Sequence, residues 1–240
     1  MSFQTTVPYD MPFGVPGEIK YSGPNRAQPG FISSALAAYN VVGATIFTQA
    51  NTGGVVSAGG AISAATTFFG LLANPKLYAS FGTTAGGPLA PTMTLPNLIE
   101  AEFLLMGEVV VSVPAPCNIG DLLTYNTTTG AIATVAPIAA FTGAVAANVL
   151  TVSAMGATGN LGVGSILYAV GGAILARILS LGTGTGGNGT YNVDTATVGS
   201  QAMTANSVAA AGLAVVPNAV IRLFPQTTAG AGIALARFTN

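Results

Sequence analysis

Gly182, Gly184 and Gly187 stand at GxGxxG spacing in the run 182–189, behind the strand-like stretch 174–181. In a dinucleotide-binding fold the last glycine of this pattern opens a helix whose amino terminus holds the pyrophosphate. Here the following residues, Thr190-Tyr-Asn-Val193, favour a strand, so the pattern lacks its helix and no nucleotide site is expected. No Gly-Lys-Ser or Gly-Lys-Thr occurs, which removes the P-loop. Glu100 and Glu102 alternate onto one strand face with Glu108 further along. Paired carboxylates of this kind serve glycoside hydrolysis or a calcium site. Tryptophan is absent, which takes away the usual aromatic-lined sugar cleft, and the expected role is a charged edge facing solvent. Histidine is also absent, and with it the commonest general base and metal ligand. Only Lys20 and Lys76 could replace it, and both lie in turn-like contexts. The single cysteine, Cys117, allows neither an internal disulfide nor a multi-thiolate zinc site and reads as a small buried hydrophobe. The expectation is a non-enzymatic chain with no catalytic residues, no cofactor and no metal.

The elements available to position such groups are short. Of 240 residues 50% are hydrophobic and only 5% charged, against about 25% in an ordinary soluble domain. The net charge is -1, and the six basic residues Lys20, Arg26, Lys76, Arg177, Arg222 and Arg237 read as scattered. They form no basic stripe for a phosphate backbone, so nucleic acid is not an expected partner. Short runs of Val, Ile, Thr, Leu or Phe bounded by Gly, Pro or Asn recur at 41–48, 103–113, 121–125 and 131–135. This is the signature of an all-β chain, a barrel or a sandwich. Residues 31–40 and 71–78 allow short helical turns, and the glycine-rich stretch 52–60 has no assigned role. Mean hydropathy is +0.64, but the uncharged stretch 161–176 is interrupted by Gly162, Gly164, Gly171 and Gly172 and reads as strand, turn, strand. It is shorter than the roughly 18–20 residues of a membrane helix, so no membrane partner is expected. The start of the chain lacks the basic residues and apolar run of a secretory signal, and synthesis in the cytoplasm is expected.

Residues 1–30 carry Pro8, Pro12, Pro16, Pro24 and Pro29 and are expected to form an extended arm barred from the central sheet. Its aromatic residues Phe3, Tyr9, Phe13 and Tyr21 have no core of their own and are the candidate contact residues for a partner surface. A β core is expected over 31–135 and 207–240, interrupted by an inserted small β domain over 136–206, where only Arg177 and Asp194 are charged. In that insert, strands are expected at 141–145, 149–153, 166–170, 174–181, 190–193 and 200–204. Alternation places Leu150, Val152 and Ala154 on one face. The last strand puts Ala234, Ala236 and Phe238 opposite Ile233, Leu235 and Arg237, is expected near an edge or interface, and should pair with 219–224 through a turn at 225–230.

The runs Met106-Gly-Glu-Val-Val-Val-Ser-Val113, Asn118-Ile-Gly-Asp-Leu-Leu-Thr-Tyr125 and Thr129-Gly-Ala-Ile132 resemble the head decoration or structural cement proteins of tailed bacteriophages. The proline-rich start and Val216-Pro-Asn-Ala-Val220 resemble the same family, so the resemblance covers 1–135 and 212–240. Separately, Phe141-Thr-Gly143, Leu150-Thr-Val152, Gly162-Val-Gly164 and the run 182–191 are similar to a β module found as an insertion in phage and other viral structural proteins. The resemblance implies a mostly β-barrel or jelly-roll structural protein of the virion, on the outer capsid surface, whose partner is the major capsid protein. It implies that the protein cements neighbouring capsid subunits and stands on the capsid as a homo-oligomer. The alternative is a fibre or adhesin module whose Gly-Thr-rich loops bind host-surface carbohydrate.

Overall fold

Three pairs of consecutive apolar residues set the architecture: Ile46-Phe47, Leu71-Leu72 and Phe103-Leu104. Successive strand residues point to opposite faces, yet all six side chains are fully buried, so both faces of these strands are covered. They lie on β3 (Ile46–Ala50), β5 (Thr66–Leu72) and β6 (Glu100–Val113), which are neighbours in one sheet. Ile46, Leu71 and Leu104 enter a core with Val109, Val111, Tyr125, Ile221 and Phe238. Phe47, Leu72 and Phe103 enter another with Ile32, Val56 and Phe69. The sheet β3-β5-β6 is thus a wall shared by two cores. The computed structural model from which this follows describes residues 14–20, 23–73, 94–223 and 232–239.

On the aromatic side of the wall, β2 (Arg26–Ile32) pairs in parallel with β4 (Val55–Ala58) and antiparallel with β6. Since β3 pairs with both β4 and β5, the strands β2-β4-β3-β5-β6 close a ring. Phe103 sits edge-on to Phe47 and Phe69, with ring centroids 4.9 and 5.1 Å apart. On the other side β16 (Gly232–Phe238), β15 (Leu213–Leu223), β7 (Leu122–Asn126) and β8 (Ile132–Val135) follow from β6 in that order. From β8 the ladder returns to the wall through Ile132 N–H to Ala44 O (3.0 Å) and Ile46 N–H to Gly130 O (2.9 Å). β6 passes from one ring to the other at Gly107, where φ is +129°: Met106 lies opposite Arg26, and Gly107 opposite Phe238. The two-residue β1 (Ile19–Lys20) lies along β6 on the side away from β16.

A separate closed barrel is built from β9 (Ile138–Ala146), β10 (Val149–Met155), β11 (Ile166–Ala169), β12 (Ile174–Leu181), β13 (Gly189–Val193) and β14 (Thr197–Asn206). All thirteen fully buried members of its core come from residues 139–205. The chain enters and leaves side by side, because Ile138 pairs with Asn206 and Ser207 N–H donates to Pro137 O at 3.0 Å.

The all-β expectation holds, and both body and barrel are closed by strand pairing. The described residues contain a single helical element, the 3-10 turn Ala37–Tyr39, within the stretch 31–40. No helix among them is long and apolar enough to cross a membrane. Three expectations are corrected. First, Arg26–Ile32 is part of the sheet despite Pro29. Pro29 is registered with Glu102 of β6, and β4 covers β2 only at Phe31 and Ile32, so the missing N–H faces a side with no ladder to complete. Gly30 is required beneath the aromatic cluster, since a Cβ there would lie 2.6 Å from the Phe69 ring. Second, β16 is an interior strand between β6 and β15, not an edge. The alternation in it is as expected, with Ala234, Ala236 and Phe238 buried, and it pairs with β15 from Ala219↔Phe238 to Leu223↔Leu235. The turn at 225–230 lies outside the described residues. Third, Ala154 is exposed, because a register shift between Val152 and Ala154 breaks the alternation of β10. The stretch 52–60 is the turn and second strand of the β3–β4 hairpin.

Candidate interaction surface

The four aromatic residues expected to make partner contacts, Phe3, Tyr9, Phe13 and Tyr21, lie outside the described residues. What is placed of this arm is residues 14–20, between Phe13 and Tyr21. Gly17 N–H donates to Val110 O at 2.7 Å and Val110 N–H donates to Glu18 O at 2.9 Å, so the segment lies against β6. It fits because two glycines leave room for it. A Cβ on Gly14 would come 2.7 Å from the Val110 side chain. A Cβ on Gly43 (φ +68°) would fall onto the Gly17 nitrogen and the Pro16 carbonyl carbon. Lys20 Nζ donates to Glu18 Oε1 at 2.7 Å and Val15 N–H to Glu18 Oε2 at 3.1 Å. These contacts, the lysine first, hold the exposed Glu18 carboxyl below the usual carboxylate range.

The residues singled out for chemistry take structural places. Glu100 and Glu102 are exposed on β6, in line with a charged solvent face, and no cluster of potential metal ligands occurs among the described residues. The GxGxxG loop packs over Tyr191, which is fully buried. Its hydroxyl donates to Gly187 O at 2.7 Å and accepts from Gly186 N–H at 3.1 Å. A Cβ on Gly184 would overlap the Tyr191 ring, so close approach of backbone to aromatic explains this glycine. The loop leads into β13 rather than a helix. Cys117 is buried, and its thiol is pushed up to about 11, by burial first and by the Asp121 carboxylate second.

The basic residues, read as scattered along the chain, are not scattered in space. Lys20 and Arg237 are both registered with Glu108, one from each side of β6, and Arg26 is registered with the neighbouring Met106. Residues directly opposite in an antiparallel pair share a face, so Lys20, Glu108 and Arg237 stand in a row across three strands. Arg222 Nε reaches Glu108 Oε1 at 3.7 Å from β15. Arg222, Arg237, Glu108, Met106 and Phe238 line a groove of about 410 Å³ with the Gly23-Pro24 turn. Sequence spacing carries no signal for this cluster, since only the order β1-β6-β16-β15 assembles it.

Compared with known families, residues 3–166 match the family described as structural cement protein (E217 gp24/Pam3 gp6), a phage family. That span is well over half of the 240 residues. The chain belongs to the phage structural cement proteins. A cement protein is a structural component of the virion and associates with capsid proteins. The matched residues of this cement protein run through β1–β10 and end at Ile166, the first residue of β11. They therefore include the first hairpin of the barrel but not the late 216–220 strand that the sequence alone suggested. No curated protein matches the chain.

Proposed function

We propose that this cement protein binds the outer surface of the capsid and ties neighbouring major capsid subunits together, with several copies of the chain acting on one shell. The observation that carries this reading, beyond family membership, is the anchored arm root. Residues 14–20 are fastened to β6, the longest strand of the body, so the preceding residues are held at one end by a rigid sheet. Those residues include Phe3, Tyr9 and Phe13. A tether fixed on one protein that lays aromatic and main-chain groups on another suits cementing, and weak contacts repeated over many copies sum to strong retention. The body is sparing in charge, with 5% charged residues in the whole chain, which fits a surface that meets partners through apolar and main-chain contacts.

The test is removal of residues 1–13, leaving β1 and β2 intact. Truncation at residue 30 would cut into β2 and unsettle the fold. The full chain should bind capsids assembled without it and stay bound in 1 M salt, because screening acts chiefly on exposed charges. The truncated chain should keep its β circular dichroism and lose retention. A truncated chain that decorates shells as fully as the intact one refutes the arm's role, and an intact chain that does not bind shells refutes the cement reading itself.

A further inference from the structure

The charge of this protein is concentrated where its function has no stated use for it. Of six basic residues, four lie around the middle of β6: Lys20, Arg26, Arg222 and Arg237. Lys20 is occupied by Glu18 at 2.7 Å. Arg222 has only a long ion pair with Glu108, at 3.7 Å, and its side chain remains 51% exposed. The guanidinium groups of Arg237 and Arg26 make no ion pair or hydrogen bond to any described residue, and both residues are exposed. Two arginines, Arg222 and Arg237, therefore line the groove beside the single carboxylate of Glu108, with Arg26 on the adjoining β2. The groove carries a local positive excess on a chain whose net charge is -1.

Arginine in this setting is informative. Its planar fork recognises carboxylate in a bidentate manner, and two forks on adjacent strands present several donors to one short segment. Met106, half-buried at the groove, offers an apolar patch for the methylene stem of an Asp or Glu side chain. Its volume, about 410 Å³, falls within the range of about 300–1,000 Å³ typical of ligand clefts. A nucleic acid would need an extended basic track, and here the cations stop at the groove. A protein segment bearing carboxylates fits both the charge and the apolar Met106 side chain.

We propose that the groove between the Gly23-Pro24 turn and β15–β16 docks an acidic segment of the capsid subunit, with Arg222 and Arg237 each engaging an Asp or Glu side chain. This rests on the cement reading and adds the chemistry of the contact. The arm supplies retention and the groove supplies register, since charge complementarity fixes orientation and steers encounter more than it adds affinity.

The experiment measures binding of the full chain to capsids assembled without it, at 50 mM and 500 mM salt, for wild type, Arg222→Glu/Arg237→Glu, and Arg177→Glu. Arg177 lies on β12 of the barrel and serves as the control for net charge. The double variant should lose at least tenfold in affinity at 50 mM salt, and its deficit should shrink severalfold at 500 mM, whereas Arg177→Glu should match wild type at both. Circular dichroism melting checks the fold. Should the double variant be unfolded, Arg237→Gln, which places no like charge beside Glu108, is expected to lose severalfold at low salt alone. Equal binding by wild type and the folded groove variants at 50 mM overturns this inference and leaves the cement reading intact. A loss shared equally by Arg177→Glu also overturns it, because general charge would then account for the effect. Failure of wild type to bind at either salt overturns both.

Discussion

Replacing Gly43 by alanine tests whether the arm root is held by close backbone approach. Gly43 is fixed from both sides, its N–H donating to Leu72 O and its carbonyl accepting from Ser112 N–H, each at 2.9 Å. It cannot move away from an added methyl, so the arm must. The new Cβ would lie 2.7 Å from Pro16 Cβ and closer still to the Gly17 nitrogen, where carbon contacts are ordinarily about 3.5–4.0 Å. A retreat of roughly 1 Å follows from that difference. It breaks Gly17 N–H to Val110 O and strains Val110 N–H to Glu18 O, at about 1 kcal/mol each. Alanine at φ +68° adds about 1 kcal/mol, giving a total loss of roughly 3 kcal/mol. Gly54→Ala is the matched control, because Gly54 has the same φ of +68° but nothing near its absent side chain, and should cost only the conformational part, about 1 kcal/mol. Urea unfolding followed by far-ultraviolet circular dichroism reads both, and capsid retention should fall only for Gly43→Ala. Equal stability of the two variants, within about 0.5 kcal/mol, refutes the reasoning, because it would mean the arm root accommodates the methyl at no cost.

The barrel is expected to be separable. Replacing 137–206 by a short Gly-Ser linker joins positions that already neighbour one another across the Ile138–Asn206 pair. Since closure entropy changes by only about 0.6 kcal/mol per doubling of loop length, the body should melt within a few degrees of wild type; an insoluble product would show that the barrel's strands belong to the body's core. Cys117 should resist alkylation by iodoacetamide at pH 8 while the chain is folded, and rapid labelling would contradict its burial. Its thiol, raised to about 11 in the folded state, favours the neutral form, so its contribution is fully present below the unfolded value near about 8.5 and is lost as pH rises toward 11. Stability should therefore decline through that alkaline window, and the Cys117→Ala variant should show a smaller decline.

The barrel strands were legible because each is a short alternating run closed by glycine or asparagine, as in Val149–Met155 and Gly189–Val193. The body was harder. Its apolar pairs, such as Phe103-Leu104, are visible in the sequence, but that they face two different cores follows only from the layers packed on each side. Pro29 and the last strand were misplaced for one reason: whether a strand is an edge depends on what lies beside it, and no local pattern records that. In β16 the exposed Arg237 suggested an edge, whereas its polar face looks outward from the middle of the sheet. The groove was hidden in the same way, since Lys20, Glu108 and Arg237 are far apart in sequence and adjacent only through register. The glycines of 182–189 lead into a strand, as the β-prone residues after them imply, but the buried tyrosine that Gly184 packs against is visible only in three dimensions.

The unequal grip on β6 has a mechanical consequence. β1 meets this strand at two residue pairs, while β16 meets it at seven. In the proposed assembly, any force that separates neighbouring subunits puts the arm under tension. That tension enters the body near Val110, in shear along β6, and is carried into both cores because β6 walls them both. The two-pair ladder at the arm root is the first junction on that path. Peeling there, like a fuse, leaves the seven-pair ladder and the cores behind it whole, so the body stays folded while the arm pays out.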